Sequence, residues 1–314
     1  MLRYIFRRVL LIFVIVFTAA IVIFSLTYLI PGDPAANLLG SDATPEELAN
    51  MRAVLGVDKP YIVQLGTFLY NIFLRFDFGD SWVYKQPVFD EMLVRMPRTA
   101  TIGAISMGSA TIAGILLGIM AGTHEGKWQD SLMMTIAIIF ASAPGFWCAM
   151  MMIVFFTVKL GWLPSYGIGS WKCYVMPCLS GALHGIAMTA RQQRNSILEV
   201  FRADYITTAR AKGVSERDVV YKHMLPNSLL PIITQLGGTL TGIFVGGVIT
   251  ETVFSIPGVG LYMLSGLTNR DYPVIRSTTL FFAAFNAVVM LFIDILYAYV
   301  DPRIKQRYTT GKKA

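Results

Sequence analysis

RADYITTARAKGVSERDVVYKHMLPN, residues 202–227, lies between two apolar segments that are each long enough to cross a bilayer. Gly213 follows one helical pattern, and glycine tolerates the left-handed conformation that ends many helices. Ser215 and Asp218 then have the spacing of a capping box, which starts a second helix. The stretch therefore predicts two short helices joined by a tight turn.

The composition indicates the class of protein to which this stretch belongs. The chain has 314 residues, 55% hydrophobic and 14% charged, and its mean hydropathy is +0.58. These values are typical of an integral membrane protein. The net charge of +7 comes from short basic clusters beside apolar runs, which orient a chain in a membrane and do not favour nucleic-acid binding. Cys148, Cys173 and Cys178 lack metal-ligand spacing and are expected to be free thiols.

Six segments meet the requirement for a transmembrane helix, which is about 20 mostly apolar residues. The first is longer than the apolar core of a cleavable signal peptide, about 7 to 15 residues, so we expect it to be retained. The six predicted spans are Val9 to Ile30, Thr99 to Gly122, Leu132 to Val158, Tyr174 to Ala190, Ser228 to Thr250 and Thr278 to Val300.

Lysine and arginine near the spans predict the orientation. With the N-terminus in the cytoplasm, sixteen of these residues lie on the cytoplasmic side and four lie in the short outer loops. The predicted divisions are an N-terminal transmembrane helix (1–30), an extracytoplasmic region (31–98), a five-helix core (99–300) with a cytoplasmic loop (191–227), and a basic cytoplasmic tail (301–314).

The extracytoplasmic region carries helix signals of its own. Thr44 and Pro45 suit the N-cap and the first position of a short helix. From Tyr61 to Phe76, apolar residues recur at helical spacing. That pattern fits either a helix at the membrane interface or a helix packed on the others.

Two spans carry glycine at every fourth position. Such stripes let helices approach closely in lipid, and they fit either static helix packing or a pore lining that slides. The glycines are Gly114, Gly118 and Gly122 in the second span, and Gly238, Gly242 and Gly246 in the fifth.

Groups that could carry chemistry are few. Glu251, Asp294 and His184 form no acidic ladder of the kind that an ion-coupled carrier needs, and His184 is expected to be a buried structural residue. No phosphate loop, H-E-x-x-H or G-x-S-x-G motif occurs in a plausible context. We therefore predict no catalytic or metal site, and ATP hydrolysis would need another protein. An ion-coupled carrier and an intramembrane enzyme stay open as alternatives.

The turn at Gly213 is also compatible with a DNA-binding helix-turn-helix. Its short tethers to two spans oppose this reading, because the motif could not enter a major groove freely. We expect one apolar helical face and one exposed basic surface that suits a protein partner. The apolar face is Leu198, Phe201, Tyr205 and Ala209, and the basic surface is Arg202, Arg210, Lys212, Arg217 and Lys222.

At these residues the chain resembles the inner-membrane permeases of binding-protein-dependent ABC importers. The cytoplasmic signature of that family is E-A-A, three residues, Gly, nine residues, then I-x-L-P. Ala209, Gly213, Leu225 and Pro226 match it at this spacing, while Thr207 and Thr208 replace Glu and Ala and His223 replaces Ile. Further motifs resemble the first permease of the dipeptide, oligopeptide and nickel branch. They are Leu29 to Pro34, Phe76 to Gly79, Ile256 to Gly260, Arg270 to Ile275 and Asp301 to Ile304.

The resemblance implies an all-α polytopic membrane protein, the type I ABC importer permease (MetI-like) bundle with six transmembrane helices in the inner membrane. It implies a second permease subunit, two ATPase subunits that hold ATP and magnesium, and an extracytoplasmic binding protein that contacts residues 31–98 and 254–277. No cofactor is expected on this chain. Small peptides are the expected cargo, and nickel or a nickel chelate is the alternative. The residues expected to couple to an ATPase are Thr207, Thr208, Ala209, Arg210, Ala211, Lys212, Gly213, Val214, Leu225 and Pro226.

Overall fold

The computed structural model describes residues 2–40, 42–229, 231–233, 235 and 247–300, and their regular structure is helical. They pack as two compact units, one made of the chain up to Pro97 together with the chain from Pro257 onward, the other of Arg98–Ile256. Four of the described helices are long and apolar enough to span a membrane, and a bent pair would make a fifth. The all-α prediction is confirmed, while the count of six spans stays a prediction.

Thirteen helices are numbered here in chain order within the described residues. They are α1 (Leu2–Leu29), α2 (Pro34–Leu39), α3 (Pro45–Leu55), α4 (Tyr61–Tyr70), α5 (Val88–Thr123), α6 (Trp128–Ser142), α7 (Gly145–Met152), α8 (Lys172–Phe201), α9 (Asp204–Ala211), α10 (Glu216–Asp218), α11 (Leu225–Ser228), α12 (Val259–Thr268) and α13 (Tyr272–Val300). π-helical turns extend α4, α7 and α10 at Asn71–Arg75, Ile153–Lys159 and Val219–Met224. Gly238, Gly242, Gly246, most of the predicted span Ser228 to Thr250, and the tail from Asp301 lie outside the described residues.

The short helices of the first unit follow their sequence signals. Thr44 caps α3 with a complete capping box: its hydroxyl accepts from the Glu47 N–H, and the Glu47 carboxylate accepts from the Thr44 N–H. The hydrogen bonds from Thr44 lower the pKa of the Glu47 carboxyl. Gly56 ends this helix with a φ of +67°, a conformation that glycine adopts at little cost.

The α4 segment packs on other helices of the first unit. Ile72, just beyond α4, is buried with Ala20 of α1 and Leu280 of α13, and Phe68 packs against the same cluster. The Tyr61 hydroxyl is 2.7 Å from the Ser25 hydroxyl of α1. These contacts account for Phe68 and Ile72 by helix packing, whereas Ile62 and Phe76 are 72% and 78% exposed.

Two predicted spans differ clearly from the helices that contain them. Leu132 to Val158 is not one helix, because α6 ends before Ala143 and Pro144, and the helical segment that starts at Gly145 runs at 104° to it. Proline disfavours the helical conformation of the residue before it, which explains the break. The fourth span was predicted to end at Ala190, but α8 continues to Phe201, so the predicted cytoplasmic loop begins as helix.

Two ionisable residues of the second unit differ in their surroundings. Glu251 is fully buried, and its carboxylate accepts a hydrogen bond of 2.6 Å from the Thr99 hydroxyl. His184 is exposed on this chain, so the expectation that it is buried was wrong. Asp294 belongs to α13.

Candidate functional site

The predicted helix-turn-helix begins where α8 ends. Arg202 and Ala203 leave the helical path before α9 starts at Asp204. This break rotates the register, so Phe201 and Tyr205 are 39% and 45% exposed. The predicted apolar face of Leu198, Phe201, Tyr205 and Ala209 was therefore wrong in two of its members.

The face that α9 buries consists of Ile206 and Ala209. Ile206 belongs to a cluster, the inner apolar cluster, which fixes α9 against the C-terminal ends of the long helices α5 and α8. Its buried members are Ile119 of α5, Ile197 of α8, Ile206, Val219 and Met224. Burial of one such aliphatic side chain stabilises by about 1.5–3 kcal/mol, so hydrophobic packing attaches this short helix to the second unit.

The turn itself has the predicted conformation. Gly213 has a φ of +78°, and its N–H donates to the Arg210 carbonyl at 2.9 Å. The Ser215 hydroxyl accepts from the Asp218 N–H at 3.2 Å and so caps α10. A side chain at Gly213 would meet nothing within 4 Å, and the turn therefore offers open space to a partner.

Ion pairs reduce the basic surface that the sequence predicted. Arg210 pairs with Glu216 at 2.8 Å, Lys222 with Asp218 at 2.9 Å, and Arg202 with Glu125 at 3.2 Å. The hydrogen bond from Lys222 lowers the pKa of the Asp218 carboxyl. Three of the five predicted surface cations are thus neutralised locally; Lys212 and Arg217 are exposed. The Arg210 guanidinium also lies 4.3 Å from the centre of the Phe201 ring.

The ten predicted coupling residues fall into three classes of burial. Ala209 is buried and so is not available to a partner, whereas other residues of the same helix are exposed. The half-buried residues are Arg210, Val214 and Leu225, and the exposed ones are Thr207, Thr208, Ala211, Lys212, Gly213 and Pro226.

The glycine stripe of α5 lies against α8. A Cβ at Gly114 would be 2.5 Å from Thr189 Cβ, and one at Gly118 would be 2.5 Å from Gln193 Cβ. A Cβ at Gly122 would be 2.7 Å from Ile197 Cγ2. Contacts this short leave no room for a side chain, so the three glycines let the two helices pack closely.

A buried ion pair near this site was not predicted. The Arg194 guanidinium on α8 donates to both carboxylate oxygens of Asp130 on α6, at 2.6 and 2.7 Å. Asp130 is only 5% exposed, and it also accepts from the Gly126 N–H of the α5–α6 turn. The usable signal was Asp130 beside an apolar segment, since a charge there needs a partner. Within the described residues, no group of three or more His, Cys, Asp or Glu side chains could hold a metal ion.

Motifs that are far apart in sequence meet in the first unit. The Ser277 hydroxyl on α13 donates to the Phe78 carbonyl at 2.7 Å. A Cβ at Gly32, which has a φ of +126°, would be 2.5 Å from the Arg270 guanidinium. A Cβ at Gly79 would be 4.0 Å from Pro273 Cβ, so Arg270 to Ile275 lies beside both Leu29 to Pro34 and Phe76 to Gly79.

Comparisons with known proteins agree with this architecture. Residues 114–306 match a family described as a binding-protein-dependent transport system inner membrane component, and residues 1–103 match the N-terminal model of such membrane components. The dipeptide transport system permease protein DppB of Alkalihalophilus pseudofirmus is 36% identical over 97% of this chain and 100% of its own length.

Two further proteins extend the comparison. The glutathione transport system permease protein GsiC of Escherichia coli K12 is 37% identical over 98% of this chain and 100% of its own length. A solved structure of an amino acid ABC transporter with histidines superposes with a TM-score of 0.51 at 13% identity, covering 68% of this chain and 94% of that one. At this identity the structural similarity shows the fold alone.

Proposed function

The chain belongs to the family of binding-protein-dependent transport system inner membrane components, and on that premise we propose that it forms half of the translocation path of an importer for small peptides. Separate ATPase subunits hydrolyse ATP on the cytoplasmic side, a second permease completes the path, and an extracytoplasmic protein delivers the cargo. Names of relatives that transport dipeptides and glutathione support peptides over nickel.

One observation carries the coupling role: α9 is held by the inner apolar cluster while the residues around its turn are exposed. A helix satisfies its own backbone hydrogen bonds, so a partner can push it as a rigid body. Ile206 then transmits the displacement to Ile119 and Ile197, and so to α5 and α8. We assign the surface that contacts the ATPase subunit to the exposed residues Thr207, Thr208, Ala211, Lys212 and Gly213.

The test uses the complete assembly in proteoliposomes with Gly213→Trp. We expect the bulky side chain to abolish ATP-driven uptake and to weaken co-purification of the ATPase subunits. Gly56→Trp is the matched control for backbone strain, because Gly56 has a similar φ of +67° and equally open space; it should leave ATPase co-purification unchanged. Normal uptake and normal co-purification in the Gly213 variant would refute the coupling role.

The orientation is tested by surface labelling. In a chain whose three native cysteines are replaced by serine, Lys212→Cys is expected to react with a membrane-impermeant maleimide only after the membrane is opened, whereas Lys85→Cys should react in intact cells. Both positions are exposed, so a difference in labelling reports the side of the membrane. The reversed pattern would overturn the orientation predicted from the positive charges.

The cargo and the energy source are separated in one uptake series. Proteoliposomes that contain the cognate binding protein receive dipeptides, glutathione or nickel, each with and without ATP inside. We expect ATP-dependent uptake of a peptide. Uptake of nickel but of neither peptide would support the alternative cargo. Uptake that follows an ion gradient without ATP would support a secondary carrier.

A further inference from the structure

A buried carboxylate in the first unit holds a turn that is far away in sequence. Asp271 is 0% exposed, and it accepts hydrogen bonds from the Ser81 hydroxyl at 2.5 Å, the Trp82 N–H at 3.1 Å and the Val83 N–H at 3.3 Å. Burial of a carboxylate is costly unless hydrogen bonds replace the lost water. Here three donors of one short turn supply them, so turn and carboxylate stabilise each other.

Further bonds close the turn on itself. The Tyr84 N–H donates to the Ser81 hydroxyl at 2.8 Å, and the Lys85 N–H donates to the Ser81 carbonyl at 3.0 Å. The Ser81 N–H donates to the Gln86 carbonyl at 2.9 Å. We call residues 81–86 the outer turn. Because its backbone bonds are made internally or to Asp271, its conformation is fixed before any partner arrives.

The outer turn presents a surface suited to protein contact. Val83 and Tyr84 are 38% and 49% exposed at its tip, and Lys85 and Gln86 are exposed beside them. Exposed tyrosine on a rigid backbone is typical of residues that dominate binding energy, because little entropy is lost when the partner docks. The turn lies between α4 and α5, outside the candidate membrane spans.

We propose that the outer turn is a contact for the extracytoplasmic binding protein, with Tyr84 as the anchor and Asp271 as the positioning residue behind it. The inference rests on the proposed function and its orientation. The family description supplies the occupant, since transport by its members depends on a binding protein. The complementary surface is an apolar pocket for Tyr84 with an acidic residue for Lys85. Lipid is the weaker occupant, because a fluid bilayer gives no reason to fix the backbone.

The experiment measures ATP hydrolysis by the complete assembly in nanodiscs against the concentration of cargo-loaded binding protein. Tyr84→Ala should raise the half-maximal concentration at least about tenfold, with the maximal rate unchanged. Asp271→Asn should raise it about three- to tenfold, because the amide can no longer accept all three bonds. Asp80→Asn removes an exposed carboxylate of the same segment and should change it less than about twofold.

A double variant isolates the positioning role. If Asp271 acts through the turn, Asp271→Asn should add little in the Tyr84→Ala background, whereas independent roles give multiplied effects. An unchanged half-maximal concentration for Tyr84→Ala overturns the proposal even if the Asp271 variant fails to fold. If Tyr84→Ala made the assembly less stable in nanodiscs but left stimulation by the binding protein normal, the tip of the outer turn would be assigned to lipid contact. That result would also overturn the proposal. A wild-type assembly that the binding protein does not stimulate would instead refute the proposed function.

Discussion

The outer turn and the turn at Gly213 are both exposed connections, but different forces hold them. The outer turn is held by directional hydrogen bonds to Asp271, which a displacement of the turn would break. The α9 turn is attached through the side chains of the inner apolar cluster, while its backbone bonds stay internal. Hydrophobic contacts are non-directional and close-packed, so α9 and the helices that it contacts can move together without losing them. One region suits recognition, and the other suits transmitted movement.

The sharpest way to break the comparison is to remove the apolar attachment of α9. Ile206→Ala deletes a fully buried side chain and should lower the free energy of unfolding by about 2–5 kcal/mol. Tyr205→Ala, at the exposed neighbour, should change it by less than about 0.5 kcal/mol. Thermal unfolding of both variants in detergent measures the difference. Equal losses would mean that the inner apolar cluster does not hold α9.

A larger residue in the α5–α8 contact tests the packing of the two helices that carry Ile119 and Ile197 of the inner apolar cluster. Gly118→Ala would place a Cβ 2.7 Å from the Ala190 carbonyl oxygen, which is backbone and cannot rotate away. We expect a loss of about 1–3 kcal/mol. Gly108→Ala on the same helix meets nothing within 4 Å and should be neutral or stabilising by up to about 1 kcal/mol. Thermal unfolding compares the pair, and a destabilising Gly108 variant would contradict the assignment to packing.

In the second unit, the stability lost with an ion pair should depend on how deeply that pair is buried. Asp130→Asn leaves Arg194 without its charge partner and should cost about 1–2 kcal/mol, since the arginine side chain is one quarter exposed. Glu125→Gln disrupts the exposed pair with Arg202 and should cost less than about 0.5 kcal/mol. Denaturant titration of both variants checks the ranking. A larger loss for Glu125→Gln would show that exposed pairs also hold the inner region.

The smallest effect concerns a pH-dependent contact of the first unit. A hydrogen bond from Arg52 lowers the pKa of Asp33, the N-cap of α2. Its stabilisation is complete above the ordinary pKa near 4 and is lost as pH falls through the lowered value. We expect amide exchange in α2 and α3 to become faster only below about pH 4. The free energy of local opening should fall there by less than about 1 kcal/mol. Asp33→Asn keeps the cap and should remove this pH dependence; an unaltered profile would assign it elsewhere.

Local chemistry made part of the molecule predictable. Thr44 with Pro45, and Gly213 with Ser215, act within one helical turn, so the caps and turns that they predict appear in the structure. The bend at Pro144 was missed because hydropathy outweighed a signal that was present: a proline disfavours helix at the preceding residue.

Contacts between distant segments were not predictable. Nothing beside Asp130 in the sequence points to Arg194, which is 64 residues away. Likewise, the register of α9 depends on a break at Arg202 and Ala203 that contains neither proline nor glycine. The sequence therefore predicted the turn at Gly213 but not which face of α9 would be buried.

The Ser81–Asp271 hydrogen bond has a consequence for biogenesis. The two residues are 190 positions apart, and a ribosome adds about 5–20 residues per second. Ser81 therefore waits about 10–40 s for its acceptor. The outer turn can acquire its final shape only after Asp271, the residue just before α13, has been made, so a chain truncated before Asp271 would reach the membrane with an unfinished outer turn.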